Sequence, residues 1–130
     1  MAIVPGTCEE IFFRGAVQSA LASRWRGAAA VSLTAAVFGA IHLDPPQAIG
    51  AAILGLYLGF LAHETGSIGP SIAAHVLNNS LAWVAANFLT DLDFGYGSAN
   101  PTPWSIVGGG AVLCLACAAG VRFGRRKKPE

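Results

Sequence analysis

Long apolar runs alternate with short polar segments along this chain of 130 residues. The five longest runs cover residues 5–21, 28–41, 47–62, 68–89 and 104–121. None shows the strict alternation of apolar and polar positions that marks a membrane β-strand, and each is longer than the roughly ten residues of such a strand. The pattern therefore predicts five α-helices.

Prolines, glycines and charged residues mark the ends and faces of these helices. The two prolines at residues 45–46 cannot continue the second run, and residues 63–67 indicate a turn after the third. Pro70 falls in the first turn of the fourth run, where proline is tolerated. Gly55 and Gly59 share one face of the third run, a spacing that favours close packing between helices.

The composition places the predicted helices in lipid. Hydrophobic residues make up 54% of the chain and charged residues only 12%, whereas soluble domains carry about a quarter charged residues. A net charge of +1 without a basic stripe excludes a nucleic-acid partner. We therefore expect an all-α, polytopic transmembrane bundle of about five helices, with the lipid bilayer around it.

The runs divide the chain into four parts. We predict a core of residues 1–89, a loop of residues 90–103, a final transmembrane helix of residues 104–121 and a basic tail of residues 122–130. Because arginine and lysine gather before the second run and in the tail, the positive-inside rule predicts a cytoplasmic C-terminus. The C-x-x-C pair Cys114 and Cys117 lies in the apolar fifth run, where helix packing is favoured over redox or metal chemistry.

Ionisable residues interrupt the first run, although each costs roughly 2.5 to 3.5 kcal/mol inside a membrane. Glu10 and Arg14 are four residues apart, so they share a helix face and can form an ion pair. Glu9 is rotated by about 100 degrees from Glu10 and escapes that pair. Glu9 could then act as a general base while Arg14 holds Glu10, and a motif that merely joins helices is an equal alternative.

Two further predicted helices each carry a pair of residues one helical turn apart that includes a histidine. Phe38 lies one turn before His42, which ends the second run and would alone be interpreted as a cap or an interfacial side chain. His75 and Asn79 share a face of the fourth run and could bind a metal, position a water, stabilise an oxyanion or join two helices. Three helices with such pairs indicate one convergent site, from which we leave out His63.

The three pairs resemble a known set of motifs. Glu9-Glu10-x-x-x-Arg14, Phe38-x-x-x-His42 and His75-x-x-x-Asn79 occur in the order and spacing of the CAAX protease and bacteriocin-processing (CPBP, or Abi) intramembrane proteases. The resemblance runs from about residue 8 to residue 89. It implies the core of the CAAX-protease fold and an integral protein of a membrane, in our expectation a bacterial cell membrane. It also implies an endopeptidase whose substrate is a membrane-associated peptide or protein. The substrate could be of the prenylated CAAX type or another kind.

The resemblance further implies roles for the residues of the three motifs. Glu9 would activate the water, His42 and His75 would position it or bind a metal, and Asn79 would donate to the oxyanion. Glu10 and Arg14 would support the site. Two histidines and a carboxylate match a catalytic zinc site, so His42 and His75 are candidate ligands of a divalent metal such as zinc. A water activated by glutamate alone is equally open, and the chain has no H-E-x-x-H motif.

Other classes of function compete with a protease. A non-catalytic membrane scaffold or immunity-type protein would keep the same polar residues for helix packing. An ion transporter is less favoured, because the fifth run contributes only Ser105 to a polar path. Since only eight residues precede Glu9, we expect a fragment, a late assigned start or a minimal core.

Overall fold

The computed structural model describes residues 3–88. The elements are α1 (Ile3–Glu10), a π-helical segment (Ile11–Gln18), α2 (Ser19–Ala22), α3 (Gly27–Ala40), α4 (Pro45–Thr65) and α5 (Gly69–Phe88). All of these elements are helical, as the predicted all-α class requires. The predicted loop, final helix, basic tail and cysteine pair lie outside the described residues.

The first three elements follow one another without a break, and we call residues 3–22 the first helix. Its middle part, Ile11–Gln18, is π-helical, with backbone hydrogen bonds that close a wider turn than in an α-helix. The side chains that this segment buries are Phe13, Arg14 and Gln18. Wide turns of this kind often occur at functional sites, and here they carry two of the buried polar side chains.

A tight connection joins α3 to α4 and contains one residue in the left-handed region. Leu43 has a φ of 59° and lies 89% exposed directly after His42. Asp44 then caps α4, because its Oδ2 accepts a hydrogen bond of 3.1 Å from the backbone N–H of Gln47. The two prolines at residues 45–46 follow the cap in the first turn, where their lack of an N–H costs nothing.

Helix α4 is longer than predicted at both ends. The prolines that end the second run begin α4, and the turn predicted at residues 63–67 starts only at Gly66, since the helix continues to Thr65. Gly66 sets the end, because its φ of 66° is left-handed and its N–H bonds to the carbonyl of Ala62. The side chains of residues 63–65 are compatible with a helix, so the stop lies at the glycine rather than at the first polar residue.

Glycines bring α3 and α4 into close antiparallel contact. A Cβ placed on Gly39 would lie 2.6 Å from the carbonyl oxygen of Ala48 and 2.8 Å from the Cβ of Ala52. A Cβ on Gly55 would lie 3.2 Å from the Cα of Ala35. Small residues therefore let the two backbones approach, as the spacing of Gly55 and its neighbour Gly59 predicted.

Residues 1–79 form one compact unit, which includes the first part of α5, residues 69–79. This part of α5 runs antiparallel to the first helix. Gly6 faces Val76 and Asn79, with their nearest atoms 3.3 and 3.5 Å from an added Cβ. Further along, Gly15 faces Ile68. This unit contains every residue of the predicted site, whereas α5 from Ser80 onward belongs to a second unit.

Within residues 3–88, α4 is the helix that is both long and apolar enough to cross a membrane, with a mean hydropathy of 1.4. One of its faces carries Ile49, Ile53 and Leu56, which are exposed by 65%, 64% and 44%. Helix α3 is also apolar but has 14 residues, which span about 21 Å, less than a bilayer core of about 30 Å. The number of about five crossings therefore stays a prediction.

Candidate active site

The carboxylate of Glu10 is the centre of a buried polar network that joins the first helix to α5. Its Oε1 accepts a hydrogen bond of 2.7 Å from Nη1 of Arg14 and lies 2.8 Å from Nδ1 of His75. Its Oε2 accepts a hydrogen bond from the hydroxyl of Ser71. These four side chains are at most 3% exposed. The ion pair that the spacing of Glu10 and Arg14 predicted is therefore present, and both carboxylate oxygens have partners.

The contact with Glu10 sets the orientation of the His75 ring. Because an ionised carboxylate can only accept, we assign the proton of the contact with Glu10 to Nδ1 of His75. The other ring nitrogen, Nε2, lies 3.7 Å from Oε2 of Glu9. That distance is too long for a hydrogen bond. The Glu9 carboxylate and Nε2 of His75 therefore lie next to each other without a direct bond. The Glu9 side chain is 35% exposed, in contrast to the fully buried Glu10.

Arg14 is held from three sides. Its Nη1 binds Glu10, its Nη2 donates a hydrogen bond of 3.0 Å to the carbonyl of Gly55, and its guanidinium carbon lies 4.9 Å from the Phe38 ring centroid. One turn further along the first helix, Nε2 of Gln18 donates a bond of 3.0 Å to the carbonyl of Gly59. Both carbonyls belong to glycines of α4, so no side chain shields them.

The Phe38 ring lies between the two histidines. Its centroid is 5.1 Å from that of His42 and 5.8 Å from that of His75, in edge-to-face contacts. The Nδ1–H of His42 donates a hydrogen bond of 2.8 Å to the carbonyl of Phe38, so Nε2 is the nitrogen that His42 can offer to a water or substrate. One aromatic ring thus connects a histidine at a helix end with one in the middle of another helix.

Asn79 stands apart from this network. It is half-buried, its Nδ2 faces Gly6, and its Oδ1 accepts a hydrogen bond of 3.4 Å from Nδ2 of Asn78. It shares the His75 face of α5, as predicted. Within residues 3–88, however, its hydrogen bond is to a neighbour and not to the Glu10 network.

Sequence reasoning missed two buried polar side chains: Ser71, which belongs to the Glu10 network, and Gln18, which bonds to Gly59. Both extend motifs that the sequence does show: Ser71 lies one turn before His75, and Gln18 lies one turn after Arg14. The spacing rule that paired Glu10 with Arg14 would have found them if it had been continued by one turn. Serine and glutamine are common enough in helices that neither drew attention alone.

The described residues do not assemble a metal site of three ligands. No group of three or more His, Cys, Asp or Glu side chains that could hold a metal ion occurs within residues 3–88. Nδ1 of the candidate ligand His75 is engaged by Glu10, which leaves one nitrogen of that ring. The arrangement is instead suited to proton transfer, with a half-exposed carboxylate beside an imidazole nitrogen.

Comparison with known proteins gives one family. The sequence model described as type II CAAX prenyl endopeptidase, Rce1-like, matches residues 1–81. No curated protein and no solved structure matches the chain significantly. The matched segment contains the three polar motifs together with Gln18 and Ser71.

Proposed function

Because the chain belongs to the Rce1-like type II CAAX prenyl endopeptidase family, we propose that it is an intramembrane endopeptidase in which Glu9 activates water. The substrate is a membrane-associated peptide or protein, and a prenylated CAAX terminus is the first candidate. We place the chain in a cell membrane, in our proposal a bacterial one, with its basic tail on the cytoplasmic side, in line with the arginine and lysine pattern.

The difference between two adjacent carboxylates carries this proposal. Glu10 is fully buried and accepts bonds from Arg14, Ser71 and His75. Glu9 is 35% exposed and lies 3.7 Å from Nε2 of His75. One carboxylate therefore serves as the structural anchor, and the other has the access to water that a general base needs.

The proposed reaction begins with a water beside Glu9 and Nε2 of His75. Glu9 takes a proton from this water while the water oxygen attacks the scissile carbonyl carbon, whose π electrons move to its oxygen. The tetrahedral intermediate then collapses, the C–N bond breaks, and Glu9 returns the proton to the leaving amine. The products are a new carboxyl terminus and a free amine, and Glu9 is regenerated as a carboxylate.

Histidine and asparagine side chains around this water assist the reaction in the proposal. Nε2 of His42 orients the water or the substrate, supported by the fixed contact of His42 with Phe38. Asn79 donates from Nδ2 to the developing oxyanion, a role that requires the substrate to bring the oxyanion towards the Gly6 side of α5. Because the residues described do not form a three-ligand cluster, no step is assigned to a metal.

The experiment compares cleavage of fluorogenic peptides, prenylated and unprenylated, by wild type and Glu9→Gln in detergent, with and without a chelator. We expect Glu9→Gln to lower turnover by about 10²- to 10⁴-fold, the usual contribution of a general base. Its unfolding curve should match that of wild type, since Glu9 is outside the buried network. Glu64→Gln, which removes a carboxylate outside the site, is the matched control and should keep wild-type turnover.

The outcomes separate the competing functions. Turnover retained in Glu9→Gln would refute the general-base role. A wild type that cleaves none of the peptides, together with a loss of stability in Glu9→Gln, would favour the non-catalytic scaffold. Loss of turnover with the chelator, restored by added zinc, would show that a metal takes part and would refute the mechanism without a metal.

A further inference from the structure

Two side chains of α5 hold the two oxygens of the Glu10 carboxylate. The hydroxyl of Ser71 donates to Oε2, and Nδ1 of His75 lies 2.8 Å from Oε1. Ser71 and His75 are four residues apart, so they lie on one face of α5. Arg14 binds Oε1 as well. Ser71 therefore holds the oxygen of Glu10 that neither Arg14 nor His75 holds.

The contact with Ser71 fixes the plane of this carboxylate. The last torsion angle of a glutamate side chain is broad, so bonds to one oxygen alone leave the plane free to turn. A bond to the other oxygen removes that freedom. Ser71 and Glu10 are both fully buried, which shields the bond between them from bulk water. The direction in which Oε1 of Glu10 meets the His75 ring therefore depends on Ser71.

The position of the proton on the His75 ring depends in turn on the contact with Glu10. With its proton on Nδ1, a neutral imidazole can only accept a hydrogen bond at Nε2. The ionised carboxylate of Glu9 is also an acceptor, which accounts for the gap of 3.7 Å between Nε2 and Oε2 of Glu9. With the proton on Nε2 instead, His75 could donate directly to Glu9. The tautomer of His75 therefore decides whether Glu9 meets a water or an imidazole N–H.

We infer that Ser71 is a positioning residue, which acts through Glu10 to keep the proton of His75 on Nδ1 and to leave Nε2 free to accept. Nε2 and the Glu9 carboxylate can then each accept one O–H of the same water, while the lone pairs of its oxygen stay available to attack a carbonyl carbon. Because Ser71 is fully buried, it acts without contacting the substrate. The role in hydrolysis rests on the proposed function, whereas the effect of Ser71 on the His75 ring does not.

The nitrogen-15 spectrum of the histidine rings tests this role directly. The chemical shift of each ring nitrogen shows whether it carries a proton, and spectra of His42→Gln and His63→Gln identify the signals of His75. The full chain, labelled at histidine, is compared in detergent micelles as wild type, Ser71→Ala and Ser71→Cys. Cysteine fills nearly the space of serine but is a weak donor, so Ser71→Cys tests the hydrogen bond even where Ser71→Ala does not fold. Ser23→Ala, which removes an exposed hydroxyl outside the network, is the control.

We expect wild type and Ser23→Ala to carry the His75 proton on Nδ1 alone, and both Ser71 variants to show a proton on Nε2 in a measurable share of the molecules. The kcat for the peptide that wild type cleaves fastest should fall about 10- to 100-fold in the Ser71 variants, the usual cost of removing an outer partner that orients a functional imidazole. KM should change little, since Ser71 is buried. A mere loss of stability would leave the tautomer of the folded molecules unchanged.

Two results would overturn the inference: a wild-type His75 with a proton on Nε2 or on both ring nitrogens, and a His75 spectrum that is unchanged in both Ser71 variants. The positioning role and the protease fail separately. A protein that cleaves no peptide but changes its His75 tautomer when the hydroxyl is lost would refute the protease and retain the effect of Ser71 on the ring. Cleavage that is lost in Glu9→Gln, together with a tautomer that does not respond to Ser71, would refute the positioning role alone.

Discussion

The contact between α3 and α4 predicts opposite effects of alanine at two glycines. A Cβ on Gly39 would lie 2.6 Å from the carbonyl oxygen of Ala48 and 2.8 Å from the Cβ of Ala52. Neither atom can move unless its helix backbone moves. A Cβ on Gly50, in contrast, meets no atom within 4 Å. Gly39→Ala and Gly50→Ala are therefore a matched pair with the same change in chemistry and different space.

The size of each effect follows from two opposing contributions. Alanine is favoured over glycine inside a helix by roughly 0.5–1 kcal/mol, a gain that applies at both positions. Overpacking costs about 1–3 kcal/mol and applies only at Gly39. We therefore expect Gly39→Ala to lower the free energy of unfolding by up to about 2.5 kcal/mol and Gly50→Ala to raise it by about 0.5–1 kcal/mol.

The assay is reversible unfolding in mixed micelles by increasing sodium dodecyl sulfate, followed by circular dichroism. Gly39→Ala should also reduce peptide cleavage, because separation of α3 from α4 moves Phe38, which contacts both histidines. A Gly39→Ala protein as stable as Gly50→Ala would refute the reasoning, since it would mean that the two backbones are not in close contact at this point.

Two further predictions concern a hydroxyl and a strained turn. Ser71→Ala removes a hydrogen-bond donor to buried Glu10 and should lower the free energy of unfolding by about 1–3 kcal/mol. Thr34→Val should be neutral or stabilising, because the buried hydroxyl of Thr34 has no hydrogen-bond partner among the described residues. Equal losses of stability for the two variants in the same micelle titration would contradict this prediction. Leu43→Gly relieves a left-handed φ of 59° and should raise the unfolding temperature, whereas Leu43→Ala keeps the strain and should not. Identical unfolding temperatures for the two variants would show that Leu43 is unstrained.

Spacing within one helix predicted much of the site. The Glu10–Arg14 ion pair and the Phe38–His42 contact are both present because residues four apart share a helix face whatever the rest of the fold does. The separate environment of Glu9 follows from the same geometry. Predictions of this kind require only that the segment be helical, and its apolar length indicated that.

Contacts between helices could not be predicted in this way. That Arg14 bonds to Gly55 depends on how two helices pack, and a backbone carbonyl leaves no mark in the sequence. The π-helical turns of Ile11–Gln18 are equally invisible, since they reflect packing rather than residue type. The end of α4 was misplaced because polar residues suggested a turn, while the chain reverses only at Gly66.

The bonds from Arg14 and Gln18 to the carbonyls of Gly55 and Gly59 also have a consequence for the order of assembly. The first helix is synthesised before the helices that carry its partners, which are 41 residues later on α4 and 61 and 65 residues later on α5. Until α4 and α5 are made, the charged side chains of the first helix lack their partners on those helices and favour the membrane–water interface. We therefore expect α3 and α4 to form their hairpin first and the first helix to dock against it afterwards.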